Sequence, residues 1–247
     1  MLAPGTLAIV CAVVFAAAVL RGLTGFGFAL AAVPLMSLAV APEKAVTVTI
    51  LLQAIIGLRD IVQLRRLVDW RSFRKLCIGA LIGTAPGIYL LATLDPSILR
   101  ILLAAIVCAS LPFLLNRPSE VTASTGRFAV PAGILSGFFG GAAAMPGPPA
   151  ITYFLHLGSP AAVMRASLMI FFFVTSTIAL PGLFVADLLG SDTLVAALVA
   201  FPFMLIGTTT GGHAFSRASE SLYKRVCVVL LVVIALVAGA RGIVGLL

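Results

Sequence analysis

Several stretches of this chain run for about twenty residues with mostly apolar side chains, among them Pro42 to Val62 and Leu76 to Leu94. A hydrocarbon core of ~30 Å needs ~20 helical residues, so segments of this length read as membrane-spanning helices. Lipid offers no water to satisfy backbone N–H and C=O groups, which leaves only helices and closed barrels able to cross. The ~10-residue alternating strands of a barrel do not occur in the pattern. Composition agrees: 62% of the residues are hydrophobic and 10% are charged, and the mean hydropathy is +1.22. The chain is expected to be an all-α polytopic membrane protein.

A net charge of +8 raises the question of nucleic acid. The basic residues fall in short loops between apolar spans, however, where the bias of Lys and Arg towards the cytoplasm explains them; lipid, and no nucleic acid, is the expected macromolecular environment. Cys11, Cys77, Cys108 and Cys227 stand singly in apolar segments without CxxC spacing. They read as packing residues, and no disulfide framework, metal site or cofactor is expected. The opening MLAPGTLAIVCAVVF lacks the basic region of a cleavable signal peptide and is expected to remain as the first helix.

Two motifs recur in the same order. An offset of 115 residues lays Gly22, Gly25 and Pro34 over Gly137, Gly140 and Pro149, and LIGTAPG (81–87) returns as LIGTTTG (205–211) at an offset of 124. This divides the chain into repeats over 1–117 and 128–247, joined by a linker at 118–127. The segment LRDIVQLRRLVDWRSFRK carries six bases and reads as cytoplasmic, while its counterpart LFVADLLGSD carries two acids and no base. In the next loops the bias reverses, DPSILR having only Arg100 and SRASESLYKR having Arg217, Lys224 and Arg225. The expectation is two inverted-topology repeats, with a cytoplasmic linker. Each would hold a glycine/proline-broken pair, near 4–20 and 26–40 in the first, followed by helices near 43–62, 75–94 and 97–116. The pair could be two full crossings or a re-entrant hairpin.

The breaks point to function. Gly and Pro leave backbone groups without helical partners, which a membrane tolerates only where they are buried in protein or line a cavity. A half-helix starting at Gly25 to Gly27, or at Gly140 to Gly147, would present N–H donors and a positive dipole end to an anion. Close packing between helices is the other use of such glycines. Arg21 lies at the first break and Arg165 lies one turn inside an apolar helix. Intramembrane arginine costs at least ~2.5 kcal/mol on insertion scales, so a functional role is the default reading, with a boundary anchor the alternative. The candidate substrate-binding set is therefore Arg21, Thr24, Gly25, Gly27, Gly140, Gly141, Gly147 and Arg165, with Pro34 and Pro149 as structural breaks.

The order and duplication of GLTGFGFALAAVPLM, AVTVTILLQAIIG, RRLVDW, LIGTAPG, GFFGGAAAMPGPPAITYFL and LIGTTTG resembles the sulfite exporter TauE/SafE family of membrane transporters. That resemblance implies a permease in the inner membrane for a sulfur-containing anion, such as sulfite, sulfoacetate, sulfolactate or isethionate, with export implied by the family's name. The sequence departs from the family in the shorter glycine run after the first break, FGFALAA, and in Arg21, which matches no family-wide signature. These departures leave the anion open.

Alternating access around a site between the halves suits inverted repeats, with an anion channel or a carrier for a non-sulfur anion as the alternatives. The hydroxyls of Thr24, Thr47, Thr49, Thr84, Thr208, Thr209, Thr210, Ser167 and Ser176 could donate to an anion, or bond a carbonyl one turn earlier. His156 and His213, near helix ends, read as structural, and Asp60 and Glu43 as flanking helix ends, so the coupling ion, a proton or Na+, stays open along with oligomeric state. No GxS or HExxH spacing appears, and the chain is not expected to be an enzyme.

Overall fold

A computed structural model describes residues 3–115 and 128–215. These form α1 (Pro4–Thr24), α2 (Phe28–Met36), α3 (Pro42–Leu64), a 3-10 turn (Arg65–Leu67), α4 (Trp70–Thr93), α5 (Pro96–Leu115), α6 (Ala129–Ala143), α7 (Gly147–His156), α8 (Ala161–Val185) and α9 (Ser191–Phe215). Among the described residues, five helices are long and apolar enough to cross a membrane: those of 4–24, 42–67, 70–93, 162–185 and 191–213. The protein is a polytopic helical membrane protein. The expected linker at 118–127 and the last helix of the second repeat, with Arg217, Lys224, Arg225, Arg241 and Cys227, lie outside the described residues.

The short members of the two pairs do not cross. α2 has 9 residues and α7 has 10, about 14–15 Å at ~1.5 Å per residue and half of what a span requires. Each follows a longer helix that stops in a left-handed residue, Gly25 (φ 82°) after α1 and Ala144 (φ 58°) after α6. Each then starts three residues later. This fixes the register between the two breaks at 119 residues, one helical turn beyond the offset of 115 read from the glycines. Gly22 packs against the Thr208 carbonyl, and the residue that packs against the Thr84 carbonyl is Gly141, not Gly137. Glycines at 133, 137, 140 and 141 offer several alignments to the eye; only backbone geometry chooses among them.

Glycine faces bind the long helices in pairs. On α4, Gly79, Gly83 and Gly87 meet Gly133, Ile134, Phe138 and Gly141 of α6, with contacts advancing together so that the two helices run parallel. On α9, Gly207 and Gly211 meet Phe15, Ala18 and Val19 of α1 in the same manner. A Cβ added at Gly79 would lie 2.7 Å from the Ile134 nitrogen, and one at Gly207 2.6 Å from the Phe15 oxygen. Only residues without side chains allow this approach, the small-residue packing of membrane bundles. The repeated LIGTAPG and LIGTTTG are thus helix-packing faces.

The basic segment is shorter as a loop than its charge suggested. Asp69 caps α4, its carboxylate accepting from the N–H groups of Arg71 (3.2 Å) and Ser72 (3.4 Å), so the helix starts at Trp70 and takes in Arg71, Arg74 and Lys75. Arg59 belongs to α3. The indole of the half-exposed Trp70 donates to the Arg65 carbonyl at 3.1 Å, in keeping with a boundary anchor. At the opposite end of α3, Lys44 pairs with Asp192 in the first turn of α9 at 3.8 Å, and Arg100 at the start of α5 donates to the Ser37 carbonyl at 3.2 Å. α3 therefore runs from an end shared with the 187–192 turn to the basic end. α8 starts at the basic end, where Ser167 accepts from the Asp69 N–H at 3.2 Å.

Candidate functional site

α3 crosses both breaks and carries the polar groups that hold them. Gln53 and Asp60 lie seven residues apart, two turns on one face, and each is 3% exposed. Gln53 donates through Nε2 to the carbonyl of Ala144 at 3.2 Å, fixing the left-handed residue of the second break. Asp60 accepts from Nη2 of Arg21 in α1, an ion pair of two groups almost wholly removed from solvent. Gly57, between them, lies against the ring of Phe173 on α8. Sequence reading took Asp60 as a residue flanking a helix end. It lies one turn before the end of α3, but facing α1, and burial makes it the partner of Arg21.

The first break is assembled by its own residues. Thr24 Oγ1 accepts from the N–H groups of Phe26 (3.0 Å) and Gly27 (2.8 Å) and donates to the Leu20 carbonyl (2.9 Å). The N–H of Gly25 returns to the Arg21 carbonyl at 2.7 Å. Donors expected of Gly25 and Gly27 are therefore engaged within the turn, and the orphan donors of the following half-helix belong to its first residues, Phe28, Ala29 and Leu30. Arg165 reaches into this turn from α8: its Nη2 donates to the Gly22 carbonyl at 2.9 Å, and its side chain covers Gly25, where an added Cβ would sit 2.5 Å from Arg165 Cγ. Arg21, Thr24, Gly25, Gly27 and Arg165 are brought together. Arg21 Nη1 is buried without a hydrogen-bond partner.

The second break is built differently. Gly140 and Gly141 lie inside α6, whose break falls later, at Ala144 to Pro146. Gly147 opens α7, but the next two residues are Pro148 and Pro149, which have no N–H to offer. Pro34 is not at the first break either; it sits near the C-terminal end of α2, where Ser37 Oγ donates to its carbonyl at 2.7 Å. In the structural register of 119, Arg21 and Asp60 correspond to Gly140 and Ala179. The two breaks share a backbone plan, while among the described residues the buried ion pair lies at the first.

Most hydroxyls take the structural role. Thr47, Thr84, Thr209 and Thr210 each donate to the carbonyl four residues earlier, at 2.7–3.0 Å. Thr49 on α3 and Thr208 on α9 have buried Oγ1 atoms without a partner. His156 and His213 place Nδ1 2.8 Å from the carbonyls of Thr152 and Thr209.

A bundle of spanning helices that turns two half-helices inward and buries ionised side chains against one of them has the construction of a membrane transporter. The family model described as "Sulfite exporter TauE/SafE" matches residues 10–238, and the chain belongs to that family. It is also 30% identical over 169 residues to the "Probable sulfite/organosulfonate exporter TauE" of Cupriavidus necator, a match covering 64% of each chain. No solved structure matches the chain at a significant level.

Proposed function

We propose that this protein is a secondary transporter for a small sulfur-containing anion, sulfite or an organosulfonate, in the cell's inner membrane. Family membership supports the class of cargo. The observation that carries the site is the buried cluster at the first break, where Arg21 pairs with Asp60 and keeps Nη1 without a partner while Arg165 donates to the Gly22 carbonyl. The Nη1 donor of Arg21 is left open, in a setting where an unmade hydrogen bond of a buried cation is costly. An anion completes it. Arg21 holds Asp60 with one nitrogen and offers Nη1 to the ligand; Arg165 supplies the second cation, and the first N–H groups of α2 align their dipole with the charge.

Movement of the anion takes place by rocking of the two halves about this site. The directions of the helices support inverted repeats: α3 runs towards the basic end and α8 away from it, and α1 and α4 pair in parallel with α9 and α6. Under the positive-inside rule the basic end is cytoplasmic, and export moves the anion away from it. Reconstituted protein tests the reading. Uptake of labelled sulfite or sulfoacetate should saturate and fall at least tenfold in Arg165→Gln, whereas equal flux of sulfonate, chloride and phosphate without saturation would mark a channel.

A further inference from the structure

Beside the start of α8 the basic end opens into a cavity of about 590 Å³ that the buried cluster does not include. Its making is local. α7 stops at His156, Gly158 turns the chain in a left-handed conformation (φ 65°), and Pro160 caps α8. The HLGSP turn thus stands away from the capped N-terminus of α4, and the space between is lined by Arg71, Ser72, Lys75, Tyr153 and Ser159 among others. Among the described residues Asp69 contributes the single carboxylate of the lining, and its oxygen is already engaged by the α4 N-terminus. Two cations, a helix N-terminus and three hydroxyls remain.

Tyr153 adds an independent observation. It is 5% exposed, lines the cavity, and its hydroxyl is buried without a hydrogen-bond partner. A buried hydroxyl left unpaired carries its full desolvation cost unless a ligand or water completes it. We infer that this cavity is an oxyanion-binding vestibule, in which Arg71 and Lys75 draw in a sulfonate or sulfite and Tyr153 and Ser159 bond its oxygens before it moves on to Arg165. Val163 of the cavity wall stands two residues before Arg165 on α8. The inference rests on the transport reading for its cargo, and on Tyr153 for the site itself.

Two measurements separate them. In liposomes of phosphatidylcholine alone, Arg71→Gln/Lys75→Gln should raise KM for sulfite by about tenfold with a smaller change in kcat. In a background with Cys11, Cys77, Cys108 and Cys227 replaced by alanine, Ser159→Cys should react faster with a sulfonate-bearing methanethiosulfonate than with its quaternary-ammonium analogue. Sulfoacetate should slow that reaction, and Tyr153→Phe should abolish the protection. Protection without any uptake would overturn the transport reading and keep the anion site. Uptake with no protection and an unchanged KM would overturn the vestibule. If phosphatidylglycerol added to the liposomes blocks labelling while sulfoacetate does not, the occupant is a lipid phosphate and the solute vestibule is wrong.

Discussion

Arg21 on α1 and Asp60 on α3, 39 positions apart, form an ion pair inside the bundle while the second guanidinium nitrogen of Arg21 stays unpartnered. Removing one member of such a pair leaves the other charge buried, at a cost of ~3–5 kcal/mol, whereas removing both restores neutrality. Asp60→Ala and Arg21→Ala should each lower the melting temperature of the detergent-purified protein strongly. The double variant should recover a good part of that loss. Additive losses would show that the two side chains do not act as a pair.

Asp60→Asn keeps the shape and removes the charge. Arg21 then loses the carboxylate it pairs with, so anion binding should tighten. The thermal stabilisation produced by sulfite at fixed ionic strength is expected to grow relative to wild type, in line with the dependence of ligand stabilisation on affinity. Weaker stabilisation would mean that Asp60 helps the anion bind.

Gly25 is required on two counts. Its φ of 82° costs a residue with a Cβ ~1–2 kcal/mol, and the same Cβ would displace Arg165. Gly25→Ala should therefore lose transport out of proportion to its loss of stability. Comparison of KM with melting temperature checks this, and a variant with lowered stability but wild-type KM would separate Gly25 from the site.

The glycine face of α4 gives a purely structural test. A side chain at Gly83 meets the backbone of Ile134, whereas Gly5 has nothing within 4 Å of the position of its Cβ. Gly83→Leu should destabilise by at least the ~1–3 kcal/mol of overpacking. Gly5→Ala should leave the melting temperature unchanged.

The span-length helices were legible because length and apolarity alone define them; the reading of 43–62 and 97–116 falls within two residues of α3 and α5. Arg21 and Arg165 were also legible, since a base in an apolar segment is conspicuous. Their partner was not. Asp60 follows Arg59 near a basic run, and nothing in LRD tells which of the two faces inward; the signal that could have found it is the spacing of Gln53, Gly57 and Asp60 on one face of α3. The break register was missed for another reason: glycine serves both turns and helix contacts, and α6 uses it for contacts up to the turn before its end. Prolines likewise mark the second break in sequence, yet their missing N–H groups remove the donors that a broken helix would otherwise offer.

A sulfur anion held between Arg21 and Arg165 at the first break should stabilise the folded protein. Measuring the thermal stability of the wild type and of Arg165→Gln against sulfite, sulfoacetate, sulfate, phosphate and chloride at constant ionic strength tests it most directly. A ligand at about 100 times its dissociation constant adds ~2.7 kcal/mol of stability. Such a shift is expected for sulfite or a sulfonate in the wild type, with its loss in Arg165→Gln. The same shift in both proteins, or none for any sulfur anion, would contradict it.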